Sequence, residues 1–300
     1  MSSIDYTTDE LLETVKRYGA IPEYQPGFDA PDILKFLNDE MQLGIVPMII
    51  SADQDFFVRY IDYDMPADSF TPIRLTQRIH ALKAREVKLV DSTGVTIANM
   101  RNMTRAEFEN FGEYDTGYSI YFQGNNIYVI NPDSYSGKKL RVYYIDRPNT
   151  LVDDSECGLI TAINTSTKTV TVNTLPSDFT TSINYDFVMG TPHFDIYDVN
   201  KDCSAIASTD MTFTDALPSD LAIGDWVCQT GFSVVANIPY ELQDLLCIGA
   251  ALRIQKAQGD SEAVEKLTML YEDNKKNSLQ SITPRIIGER RIINNTRGFI

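Results

Sequence analysis

The chain has 300 residues, of which 43% are hydrophobic and 23% charged, values of a folded globular protein that exclude wholesale disorder. Its 42 acids against 26 lysines and arginines leave a formal net charge of -16. Such a surface repels phosphate backbones, which argues against a protein that grips DNA but not against one that sits beside it.

The start, "MSSIDYTTDELLE", has no basic or apolar leader pattern, and the longest uncharged apolar run, "LGIVPMIISA", is ten residues interrupted by a proline. That is half of a bilayer span, so the expectation is a soluble chain made in cytosol, with no membrane partner. The first predicted element is a helix over "LLETVKRYG", opened by a capping box of Thr7 and Glu10 and closed at Gly19. A proline-punctuated turn follows. Asp29 then caps a second helix with Ile33, Leu34, Phe36, Leu37 and Met41 at helical spacing, kinked or broken near Gly44 and Pro47.

From Gln54 the period becomes two. "DFFVRYIDYDM", "AREVKLVDSTG", "YSIYFQGNNIYVINP" and "KLRVYYIDRP" read as strands, with a hairpin turn at Gly124-Asn125 and one short helix at "MTRAEFENF". A second β stretch carries an echo: "TVTVNTLPSDF" and "MTFTDALPSDL" share Leu-Pro-Ser-Asp 42 residues apart. Two copies are too few for a solenoid and predict a duplicated hairpin unit packed as a small barrel or sandwich. Helix returns at Pro239, breaks at Gly259-Asp260, and resumes from Ser261. In its first part Leu242, Leu245, Leu246, Gly249, Leu252 and Arg253 share a stripe. The small centre Gly249-Ala250-Ala251 admits close approach of a neighbour. Core packing is the plainer reading; as an interface, Leu242, Leu245, Gly249, Ala250 and Leu252 are the residues for subunit packing.

The fold class expected is therefore α+β, with N- and C-terminal helices forming a helical body and a large antiparallel β insertion of two subdomains between them. The boundaries are 1–52 and 236–283 for the helical parts, 53–150 and 151–235 for the β subdomains, and 284–300 for a basic extended tail. Residues 151–240 hold twelve acids against two lysines, so most of the negative charge sits there.

No signature of chemistry survives inspection. GxxxxGK[ST], GxGxxG and GxSxG are absent from the sequence. His80 and His193 lack zinc-ligand spacing. Asp198-x-Asn200-x-Asp202 begins like a calcium loop but has Cys203 where glycine is needed and Thr209 where the bidentate glutamate belongs, so a polar turn is expected. Cys157, Cys203, Cys228 and Cys247 have no CxxC pair and read as buried, reduced thiols. Tyr114, Tyr118, Tyr121, Tyr128, Tyr143 and Tyr144 offer a carbohydrate platform or, more simply, half-buried sheet packing. A hydrolase with unmarked carboxylates is the weakest alternative. No catalytic residue, metal or cofactor is expected, and the chain reads as one built for contacts rather than as an enzyme.

Three stretches, in this order, resemble the head-to-tail connector proteins of tailed bacteriophages, the portal adaptor or neck rings. They are "TTDELLETVKRYGAIPEYQPGFDAPDILKFLNDEMQLGIVPMII", then "YFQGNNIYVINP" with "KLRVYYIDRPNTLV", then "IPYELQDLLCIGAALRIQKAQGDSEAVEKL" with "ITPRIIGERRIIN". The resemblance implies a structural virion protein at the head–tail junction, forming a ring, typically of twelve copies, beneath the portal. Its partners would be the portal protein, tail or stopper and nozzle proteins, and further copies of itself. Double-stranded DNA would pass through without specific binding, which a negative channel wall assists. A rival reading is a β-rich binding module, tail-fibre-associated or glycan-binding. The tail fits the connector better. Arg285, Arg290, Arg291 and Arg297, with Ile286, Ile287, Ile292, Ile293 and Phe299, make a basic, apolar arm suited to a portal or a neighbouring subunit.

Overall fold

The computed structural model describes residues 7–21, 28–75, 78–109, 117–130, 132–190 and 196–282. The chain is α+β, with many antiparallel strands and a few helices. Helix α1 (Thr8–Tyr18) and helix α2 (Ala30–Glu40) come first, and Asp29 caps α2 by accepting the Asp32 N–H at 3.1 Å. The capping box expected at Thr7 is not formed by that residue's side chain. Thr7 instead forms an isolated antiparallel bridge with Val235, and the Thr8 N–H donates to Val234 C=O at 2.7 Å. At Gly44 and Pro47 the chain does not break. It takes one wide π-turn (Met41–Ile45) and continues as α3 (Val46–Ala52), with Pro47 in the first turn where no N–H is needed.

A two-sheet unit follows. Strands β1 (Val58–Asp64), β2 (Ile73–Arg74), β3 (Ile79–Val90), β4 (Thr96–Asn99) and β5 (Arg101–Met103) lead to helix α4 (Arg105–Glu109). Then come β6 (Ser119–Gln123), β7 (Asn126–Val129), β8 (Lys139–Asp146) and β9 (Thr150–Leu151). One sheet has the order β1-β8-β3-β4 and the other β2-β7-β6-β5, and they share a core that includes Ile79, Leu89, Ile120, Ile127, Val129, Leu140 and Val142. Gly124, with φ +61°, turns β6 into β7 as expected.

Strands β10 (Gly158–Asn164), β11 (Thr169–Val172), β12 (Asn184–Val188), β13 (Ile196–Ala207), β14 (Asp210–Phe213) and β15 (Trp226–Gln229) close a barrel in the order β10-β11-β14-β13-β12-β15. Exchanging the first three strands with the last three maps this ring onto itself, so the sequence echo is a two-fold pseudosymmetry. Val170 faces Met211 across the dyad. The buried pairs Val170 and Val172, Met211 and Phe213 correspond at one residue less than the 42 separating the Leu-Pro-Ser-Asp runs. The second copy thus carries one extra residue between strand and turn. The first such turn meets the end of β15, where the Gln229 amide donates to Asp178. Leu175 and Leu217, one from each turn, pack against a barrel core that includes Ile160, Tyr185, Phe187, Phe213 and Val227.

After β16 (Phe232–Ser233), which pairs with β9, come α5 (Gln243–Gln258) and α6 (Ser261–Ile282). Gly259 ends α5 in the left-handed conformation, φ +79°. Apolar side chains of α1, α2, the π-turn, α3 and α6 surround α5 in one core. That is why α5 is apolar on every side rather than along one stripe. Leu242, Leu245, Gly249, Ala250 and Leu252 are buried in this chain's own core and so are closed to a neighbouring copy, a correction to their reading as subunit-packing residues. The neighbour that needs the missing Cβ at Gly249 is the Glu40 side chain of the same chain.

Candidate functional site

The densest polar structure among the described residues is a joint where the two-sheet unit meets the barrel. It begins with Asp186, a single charge in the apolar run of β12, fully buried. Five donors converge on its carboxylate. Arg78 Nη1 at 2.6 Å, Asn149 Nδ2 at 3.0 Å and Gly231 N–H at 3.0 Å reach Oδ2. Asn200 N–H at 2.9 Å and the Thr230 hydroxyl at 3.1 Å reach Oδ1. Asn200 presents its N–H from a left-handed conformation, φ +63°. Arg78 in turn donates to Asn149 Oδ1 at 2.9 Å and contacts Asp146 at 3.5 Å, while Arg59 reaches the other Asp146 oxygen at 3.1 Å. Burial, only partly offset by Arg78 and Arg59, pushes the Asp146 carboxyl up from its ordinary value. The joint thus binds β1, β8, the 146–149 linker, the barrel and the turn before β16 into one polar network. Partners for every charge make such a network rigid, and removal of one member leaves a buried charge exposed to none.

Two clefts flank the joint. One of 520 Å³ is lined by Phe56, Phe57, Val58, Arg59, Ile196 and Asn237–Pro239; the other, of 650 Å³, by Ile61–Tyr63, Arg147–Thr150, Val199 and Asn200. Pro148 borders both.

The other sequence candidates scatter. The tail residues Arg285, Ile286, Ile287, Arg290, Arg291, Ile292, Ile293, Arg297 and Phe299 lie outside the described residues, as do His193 and Tyr114. Asp198 pairs with Lys201 at 2.7 Å, and Asp198, Asn200 and Asp202 sit along β13 rather than around an ion. Among the described residues no His, Cys, Asp or Glu group is placed to hold a metal. No helix among them is long and apolar enough to cross a membrane. The tyrosines form no single platform: Tyr144 points into the core, Tyr143 stacks with Tyr60 on the opposite face of the same sheet, and Tyr121 pairs with Tyr128 in the other sheet.

The expectation of four reduced cysteines is corrected. Cys157 and Cys228 form a disulfide, with Cα atoms 4.7 Å apart, while Cys203 and Cys247 are buried free thiols. Gly158 pairs with Val227, so the two cysteines stand directly opposite across the β10–β15 seam. Seventy-one residues separate them, and no local spacing could announce the pair.

The joint itself was missed by sequence reasoning. Its one signal was Asp186, a charge inside "INYDFVMG", where a buried strand demands a partnered ion. No protein-family model matches the chain, and no curated protein matches it.

Proposed function

We propose that this chain is a structural, non-enzymatic virion protein: a head-to-tail adaptor that forms a ring under the portal, extends the DNA channel and offers a docking surface to tail components. The finer architecture belongs to this reading. The helices from both ends form the body of each subunit, the two β units project between them, and the basic tail reaches the portal or a neighbouring subunit.

The observation that carries it is the way rigidity is distributed. Helices from the two ends of the described chain share one core, and the Asp186 joint fixes the barrel against the two-sheet unit. Within the helical core, buried Glu40 ties α2 to α5 and α6 by accepting from Arg253 and Tyr271. A scaffold that must hold surfaces in fixed relation around a channel needs this arrangement. The net charge of -16 suits a wall past which DNA slides. The order of the three stretches that resemble connector proteins supplies the rest of the case.

The test is complementation. DNA-filled heads made without this chain should bear a portal but join no tails, and adding the purified chain should restore joining. Heads that join tails equally well without it would refute the proposal.

A further inference from the structure

Among the described sheets, β1 is the longest edge strand. The barrel is closed, and the other edge strands β4, β5, β2, β9 and β16 have four residues or fewer against seven in β1. Its register with β8 runs through seven pairs without a bulge, so nothing twists the edge away. Asp146 N–H donates to Phe57 C=O at 2.8 Å, which turns the odd-numbered residues of β1 toward β8. The backbone N–H and C=O groups of Tyr60, Asp62 and Asp64 therefore point outward. Both clefts lie along this strand, the first at Val58 and Arg59, the second at Ile61–Tyr63. Across them stands β13, contributing Ile196, then Val199 and Asn200, and Arg59 Nη1 spans the gap to Ile196 C=O at 3.1 Å. The result is a slot bordered by an unpaired strand on one side and the barrel wall on the other.

We propose that in the free chain this slot receives the chain's own C-terminal segment, residues 284–300, as an added strand on β1. The place where α6 ends points to it. The Ser278 hydroxyl donates to Glu241 C=O at 3.2 Å, so the last turns of α6 lie beside the residues that follow Pro239. Asn237, Ile238 and Pro239 themselves line the first cleft. The segment thus leaves its helix close to the mouth of the slot. Seventeen extended residues reach about 55 Å, against a radius of gyration of about 19 Å for a chain this long. Covering β1 needs about 23 Å of strand. Pro284 bars continued helix, and the isoleucine pairs match the second cleft, which is the more apolar of the two. The four arginines would lie beside Asp64, which is largely exposed and paired with Lys139 at 3.6 Å, whereas both oxygens of Asp62 are already taken by Arg141 at 2.7 Å. Main-chain pairing supplies the affinity, as in other strand additions. A tail stored in this way shields the edge from other copies until a portal or neighbour displaces it. The stored state itself does not depend on the adaptor reading.

The test uses the isolated full chain and a chain ending at Thr283, both at concentrations where sedimentation shows monomers. Hydrogen exchange at the Tyr60, Asp62 and Asp64 amides should be at least about tenfold slower in the full chain. Equal exchange in the two proteins overturns the proposal. Protection that grows with concentration also overturns it, because the occupant is then a second copy. A variant pair adds a check on the backbone. Tyr60→Pro removes one outward N–H, whereas Tyr60→Ala removes the same ring contacts and keeps it. Trypsin should cut at Arg290 and Arg291 much faster in Tyr60→Pro than in Tyr60→Ala; equal rates contradict strand addition. Should Tyr60→Pro fail to fold, the exchange comparison decides alone.

Discussion

Replacing Gly249 by alanine should destabilise the helical core, although alanine is the better helix former. An added Cβ would stand 2.6 Å from the Cγ, Cδ and Oε1 atoms of Glu40. Glu40 is 5% exposed, accepts from Arg253 Nε at 2.5 Å and from the Tyr271 hydroxyl at 2.8 Å, and is hemmed in on its other side by Gly44. It has nowhere to go without losing those partners. Helix propensity favours alanine by about 1 kcal/mol. Separating a buried carboxylate from its guanidinium costs roughly 3–5 kcal/mol, and the lower end applies because Arg253 is 34% exposed. The net expectation is a loss of about 2 kcal/mol, read by urea unfolding followed by far-ultraviolet circular dichroism. The decisive comparison is the same substitution in a Glu40→Ala background. With the clashing side chain gone, Gly249→Ala should become neutral or stabilising by up to about 1 kcal/mol. Equal destabilisation in both backgrounds, or stabilisation in the wild type, would refute the steric argument.

Three further outcomes follow from the geometry. Asp186→Asn should lower stability by about 3 kcal/mol, because Arg78, with a side chain 12% exposed, loses its closest anion; a thermal melt within a degree of wild type would contradict it. Burial, then the neighbouring Asp9, pushes the Asp154 carboxyl from 3.8 up to about 6. The folded chain therefore holds that proton more tightly than the unfolded chain. This contribution is present below about pH 4 and is lost as pH rises through about 6. Asp154→Asn should then be more stable than wild type at pH 8, by an amount on the order of 1 kcal/mol after solvent screening, with the advantage gone at pH 4. Reduction of Cys157–Cys228, which closes a long loop at the barrel seam, should cost about 2–4 kcal/mol; alkylation followed by intact mass should find two protected thiols before reduction and none after.

Helix and strand periods, the Gly124 turn, the Asp29 cap and the duplicated barrel unit were all legible, because each is written in local spacing. The barrel was legible only to within one residue: the matching turns fix a gapless alignment, while alternating burial of Val170, Val172, Met211 and Phe213 sets the strands one residue apart from it. Thr7 and Glu10 have the right spacing for a cap, yet the Thr7 side chain makes no capping bond and its backbone bridges to Val235, a partner so distant in sequence that it leaves no local trace. The same holds for the disulfide and for the joint. Arg78, the linker residues Asp146 and Asn149, and Asp186 come from three separate places in the sequence, and only the closed fold brings them together. The stripe read on α5 is one face of a helix that is buried on several sides, and periodicity cannot tell which apolar face meets the same chain and which meets a neighbour. Burial decides that.

The adaptor reading is tested most directly by weighing the purified chain alone and after incubation with its cognate portal. The account predicts a monomer of 33.8 kDa alone. On the portal it predicts a discrete gain of about 400 kDa, the mass of twelve copies, with no intermediate species persisting at saturation. A portal whose mass does not change, or a stable dimer that ignores it, would contradict the account.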